Sequence, residues 1–101
     1  MDTMKATRNI PVLNLVFGQN LKKLREGANL SQLALSQKSD ITHTFLNDIE
    51  HGHKTPSFAT VEKLSMALDV SPHLFFINHE AYPQHIDTFL QAVEDFKRHY
   101  S

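Results

Sequence analysis

Apolar positions recur every three or four residues along most of the chain, and polar caps break the pattern into short helices. Val16, Phe17, Leu21 and Leu24 share one face of a helix from about Leu15 to Gly27, with Lys22, Lys23 and Glu26 on the rest and Asn14 as its N-cap. Ser31 opens a short helix of about Gln32 to Lys38, with Leu35 inward. After a break at Ser39, Asp40 and Ile41, Thr42 caps a third helix from about His43 to His51, whose buried stripe is Leu46 and Ile49. Gly52 ends it, because glycine accepts the left-handed backbone that follows a helix. His53 to Pro56 is a loop. Ser57 caps a fourth helix with Val61, Leu64, Ala67 and Leu68 inward, and Ser71-Pro72 opens a fifth that carries the apolar Leu74, Phe75 and Phe76. A last amphipathic helix runs from about Gln84 to Tyr100. No strand alternation competes with this pattern, so the fold class is all-α. Residues 1–12 read as an N-terminal arm, 13–78 as the main domain and 79–101 as the C-terminal helix.

The segment Ser31 to Gly52 carries the functional signal. Two short capped helices joined by a tight connection cross steeply, so one can project while the other braces it. The projecting helix presents Thr42, His43 and Thr44, then Asn47 and Asp48 one turn on, while its other face is apolar. That division suits a helix lying in a DNA major groove, with polar side chains on base edges and the apolar side in the core. The first amides of the bracing helix, beside Gln32, are placed to hold a backbone phosphate.

Residues 21–76 also contain Leu24-Arg25, Leu30-Ser31-Gln32, Ile49-Glu50-His51-Gly52, Thr55-Pro56-Ser57 and Ala67-Leu68-Asp69-Val70-Ser71, in that order and without a gap. This stretch resembles the phage-repressor and Cro-like (Xre) helix-turn-helix family of transcriptional regulators. The resemblance implies a compact five-helix repressor-like bundle with helix three as the reader, followed here by the extra C-terminal helix. It puts Thr42, His43, Thr44, Asn47 and Asp48 at base-reading positions and Gln32, His51 and Lys54 at phosphate-contacting ones. It also makes Arg25 and Glu50 a structural ion pair bridging helices one and three. The sequence departs from the family pattern at several points. Asp40 and Asn29 stand where glycine is usual, and both tolerate a left-handed backbone. Ser36 replaces an alanine and brings a hydroxyl that needs a partner. Asp48 could accept from cytosine N4 but repels phosphates. His51 replaces an arginine or asparagine and is a weaker phosphate anchor while neutral.

Composition bounds these readings. A chain of 101 residues with 41% hydrophobic and 21% charged residues is one domain of ordinary globular make-up. The formal net charge of −1 is not the strongly basic balance common among nucleic-acid binders, so any phosphate contact must come from a local basic face. The absence of cysteine excludes disulfides and thiolate metal sites and fits a reducing, cytoplasmic setting. The start of the chain offers no apolar run for a signal peptide, and no stretch is long enough to span a membrane. The seven histidines lack the acids or thiols that would complete a metal site, so they read as surface residues. His43 or His51 would still make DNA binding pH-dependent, because histidine titrates near neutrality. No glycine-rich phosphate loop or cysteine nucleophile suggests an enzyme, and Gly18, Gly27 and Gly52 fit turns or helix ends. No cofactor or metal is expected.

Phe89, Leu90, Val93 and Phe96 line one stripe of the last helix. Exposed, they would form a large apolar patch, and a two-fold dimer would cover it. The expected function is that of a sequence-specific transcriptional regulator, a repressor that binds a palindromic operator in double-stranded DNA as a homodimer. The alternative is an antitoxin-like module that binds a partner protein, with or without regulating its own gene. An activator like the controller proteins of restriction-modification systems is a third reading, disfavoured because the last helix exceeds that minimal unit.

Overall fold

The computed structural model describes residues 12–78, 91–95 and 97–98, and all regular structure among them is helical. Helix α1 spans Val12–Gly27, α2 Gln32–Ser39, α3 His43–Glu50 and α4 Phe58–Leu68; a 3₁₀ turn, Pro72–Phe76, follows. Residues 91–95, 97 and 98 are helical as well. Helix α1 packs against α3 and the 3₁₀ turn, while α2 packs against α3 and α4. One core joins them: Phe17 and Leu21 from α1, Leu35 from α2, Leu46 and Ile49 from α3, Val61, Leu64 and Ala67 from α4, and Phe75. Leu24, Leu30, Ile41, Phe45, Leu68 and Val70 pack around its edge. These are the inward stripes that the apolar spacing predicts, except that Val16 is only half-buried and stands outside this core.

Local chemistry sets the boundaries. Ser31, Thr42 and Ser57 each sit at an extended N-cap and accept the backbone N–H three residues on, at 3.0, 3.1 and 3.1 Å. The helix ends share one device. Asn29, Asp40 and Asp69 take left-handed backbones with φ of 58°, 57° and 56°. The next residue in each case is apolar, and the N–H groups of Leu30, Ile41 and Val70 return to the carbonyls of Arg25, Ser36 and Ser65. Gly52, at φ 78°, does the same work after α3. The hydroxyl of Ser36 finds its partner in the Leu33 carbonyl at 2.7 Å.

Three expectations change. Helix α1 is already formed at Val12, and Asn14 is no cap: it is buried within the helix and donates through Nδ2 to Thr55 Oγ1 at 2.7 Å. A partner 41 residues away outweighs the local capping preference. The fifth helix is a 3₁₀ turn, fastened by Asn20 Nδ2, which donates to the carbonyls of Phe75 and Ile77 at 3.0 and 2.8 Å. Both Phe75 and Phe76 pack on Phe17, the first ring tilted at 4.9 Å between centroids and the second edge-on at 5.3 Å. Gly18 lies in mid-helix rather than at a turn or helix end.

Candidate nucleic-acid interface

Helix α3 is anchored behind and open in front. Leu46 and Ile49 are fully buried and Phe45 packs at the core's edge. The opposite side carries Thr42, His43 and Thr44, all exposed, with Asn47 and Asp48 half-buried beside them. Thr44 and Asp48 make no side-chain hydrogen bond among the described residues, so their polar atoms are available to a ligand.

The far end of α3 is pinned twice. A Cβ on Gly18 would stand 2.4 Å from the Ile49 carbonyl oxygen and 2.6 Å from that of Glu50, so only glycine lets α1 approach so closely. Nearby, Arg25 Nε donates to Glu50 Oε2 at 2.7 Å, Nη2 to Oε1 at 3.1 Å and Nη1 to the Leu30 carbonyl at 2.8 Å. Both side chains are buried. The hydrogen bond to Glu50 raises the Arg25 guanidinium above its ordinary pKa against the opposing effect of burial. With the Glu50 carboxylate in place, the contribution of this raised pKa is therefore complete below the ordinary arginine range and is lost as pH rises through the raised value.

Gln32, at the start of α2, extends this pair to the open face. Its Nε2 donates to Glu50 Oε1 at 3.0 Å and to Asn47 Oδ1 at 3.2 Å, and its Oε1 lies 3.1 Å from His43 Nε2. An amide oxygen only accepts, so His43 carries its proton on Nε2. Both amide hydrogens of Gln32 are committed, and a phosphate at this helix start would meet backbone N–H groups instead. His51 caps the other end: its Nδ1 is 2.8 Å from the Asn47 carbonyl, so Nδ1 donates and the neutral ring has no proton on Nε2. The His53 ring stacks on His51 at 6.0 Å, and Lys54 follows, exposed, in the loop that Asn14 ties to α1 through Thr55.

Arg25, Gln32, His43, Asn47 and Glu50 thus form one connected hydrogen-bonded chain across three helices. Gly18 and Asn14, read from the sequence as a turn or helix-end glycine and as an N-cap, instead pack against the end of α3 and tie the following loop to α1; a glycine inside an amphipathic helix costs about 1 kcal/mol relative to alanine and so signals a packing need. Of the C-terminal stripe, Phe89, Leu90 and Phe96 lie outside the described residues, and Val93 is half-buried. No cluster of three or more histidine, aspartate, glutamate or cysteine residues among the described residues could hold a metal, and no described helix is long and apolar enough to cross a membrane.

A helix-turn-helix family model matches residues 21–75, which span the whole of this constellation. The chain is similar to control protein C.BamHI of Bacillus amyloliquefaciens, at 38% identity over 61 residues, 59% of this chain and 75% of that protein. It is also similar to the immunity repressor protein of Bacillus phage phi105, at 32% identity over 56 residues, 55% of this chain and 39% of the repressor. Among solved structures, the restriction-modification controller protein C.AhdI from Aeromonas hydrophila superimposes with a TM-score of 0.61 at 33% identity, over 62% of this chain and 96% of that one.

Proposed function

The chain belongs to the helix-turn-helix family of transcriptional regulators, and from that premise we propose that it is a sequence-specific repressor that occupies a palindromic operator as a homodimer. The observation that carries this reading is the division of α3, whose apolar side is fixed in the core while Thr42, His43, Thr44, Asn47 and Asp48 face outward at its polar side. In this reading those five residues meet base edges, Asp48 accepting from a cytosine N4 amine. The first amides of α2 beside Gln32, the His51 ring and the Lys54 ammonium hold the flanking phosphates. Arg25 and Glu50 touch no DNA and hold the reader in register. One reader covers only a few base pairs; two of them about 34 Å apart give useful specificity. Phe89, Leu90, Val93 and Phe96 supply the two-fold contact.

The similarity to control proteins supports an activator acting through the same DNA contacts as a variant of this reading. The net charge of −1 and the acid at Asp48 favour a second reading, an antitoxin-like module that binds a partner protein. Selection of bound duplexes from a random pool separates them. Wild type should recover a palindrome that a Thr44→Ala, Asn47→Ala double variant fails to enrich, with steep salt dependence of binding. Absence of any enrichment by folded wild type would transfer the assignment to the protein-partner reading.

A further inference from the structure

We propose that Asn14 is a positioning residue for DNA binding: by holding Thr55 it fixes the loop between α3 and α4, so that Lys54 meets a backbone phosphate from a place already set. The inference rests on the DNA-binding function proposed above and deepens it by naming, on α1, a residue that acts on affinity without touching DNA.

The bond from Asn14 joins two unlike surroundings. Asn14 is buried on α1, and its Nδ2 donates to Thr55 Oγ1 at 2.7 Å. Asparagine is a poor helix former, and a buried amide costs free energy unless it is paired. Core packing alone would favour an apolar side chain here. At the far end of the bond, Thr55 is exposed, as are His53 and Lys54 before it, and Pro56 after it is half-buried. No residue from 53 to 56 belongs to the hydrophobic core. What the bond orders is therefore surface rather than core.

The loop is short and fixed at both ends. The His53 N–H returns to the Asp48 carbonyl at 2.9 Å, and the His53 ring stacks on His51 at 6.0 Å. Ser57 begins α4 as its N-cap. Between these ends, Pro56 restricts its own backbone. Among the described residues, Asn14 is the one side chain of another helix that hydrogen-bonds to residues 53–56. Lys54 is the immediate neighbour of the tied residue. A loop that is free before binding must be ordered when it grips a phosphate, and that cost falls on affinity. A loop tied to α1 meets the cost during folding instead.

The test measures affinity by fluorescence anisotropy across a salt series, for a duplex recovered by selection and for one of unrelated sequence. Lys54→Ala should lower the salt slope by about one, as the loss of a phosphate contact does. Asn14→Leu should weaken binding by about tenfold on both duplexes, because phosphate contacts carry no sequence information. Thr55→Val cuts the same bond at its exposed end, where the fold is least at risk, and should reproduce that loss. The decisive comparison adds each change to Lys54→Ala. Either should then cost less than about twofold, because the residue it positions is gone. An equal loss with and without Lys54 would make Asn14 a brace for the whole fold and overturn the proposal. So would unchanged affinity in folded Thr55→Val protein, or a salt slope that Lys54→Ala leaves unmoved. If wild type binds no duplex at all, the DNA reading falls first and takes this inference with it, a result seen before any variant is made.

Discussion

Helices α3 and α4 are built alike and end up with opposite outer faces. Each starts at a hydroxyl cap, Thr42 or Ser57, and each ends on a left-handed residue, Gly52 or Asp69. Each buries two or three aliphatic side chains in the same core. Yet the outer side chains of α4, among them Phe58 at 92% exposure and Met66 at 75%, lie free on the surface. On α3, His43 and Asn47 are held by Gln32, and Gln32 by the buried Glu50. Exposure alone does not mark a functional face. The distinguishing sign is that side chains reaching solvent are oriented from below by a network that costs free energy to bury, and such order is useful only if something reads the orientation.

The contrast should be clearest in stability when one end of that network is removed. Glu50→Ala leaves the Arg25 charge buried and unpaired and should destabilise the fold by about 3–5 kcal/mol in urea denaturation, whereas Glu62→Ala on α4 should change it by less than about 0.5 kcal/mol. Equal effects would show that the buried pair is no more than a surface contact in its energetics. Gly18→Ala forces a methyl against two backbone carbonyls at the end of α3 and should cost about 1–3 kcal/mol. Because α3 must then shift, DNA affinity should fall further than the lost folded fraction explains; affinity proportional to folded protein would contradict that link. The caps offer a matched pair: Thr42→Ala and Ser57→Ala should each lower stability by about 1 kcal/mol, but only the Thr42 change should weaken DNA binding in fully folded protein.

How much of this was legible in the sequence divides along the range of the interactions. The caps at Ser31, Thr42 and Ser57, the glycine stop at Gly52 and the left-handed turns at Asn29 and Asp40 depend on three to six neighbouring residues, and the residue types declare them. Asp69 carries the same local signature, a polar residue between Leu68 and Val70, and shows that the pattern extends further than the positions where glycine was expected. Asn14 reads locally as a cap and is claimed instead by Thr55 in the loop after α3. The 3₁₀ geometry at Pro72–Phe76 follows from Asn20 and from Phe17, both more than fifty residues earlier. The hydrogen bonds of Gln32 to His43, Asn47 and Glu50 were not legible at all. They need the relative placement of atoms on two helices, and a list of polar residues carries no information about which of them meet.

The most direct test of the contrast between the two helices is amide and side-chain NMR shift mapping of the 101-residue protein during titration with a duplex recovered by selection. The account predicts that the largest changes fall on residues 42–51 and on the side-chain amide of Gln32, while Glu62, Lys63 and Met66 on the outer side of α4 stay near their free positions. Large shifts centred on α4, with residues 42–51 undisturbed, would contradict it and place the binding surface on the helix that the network leaves unorganised.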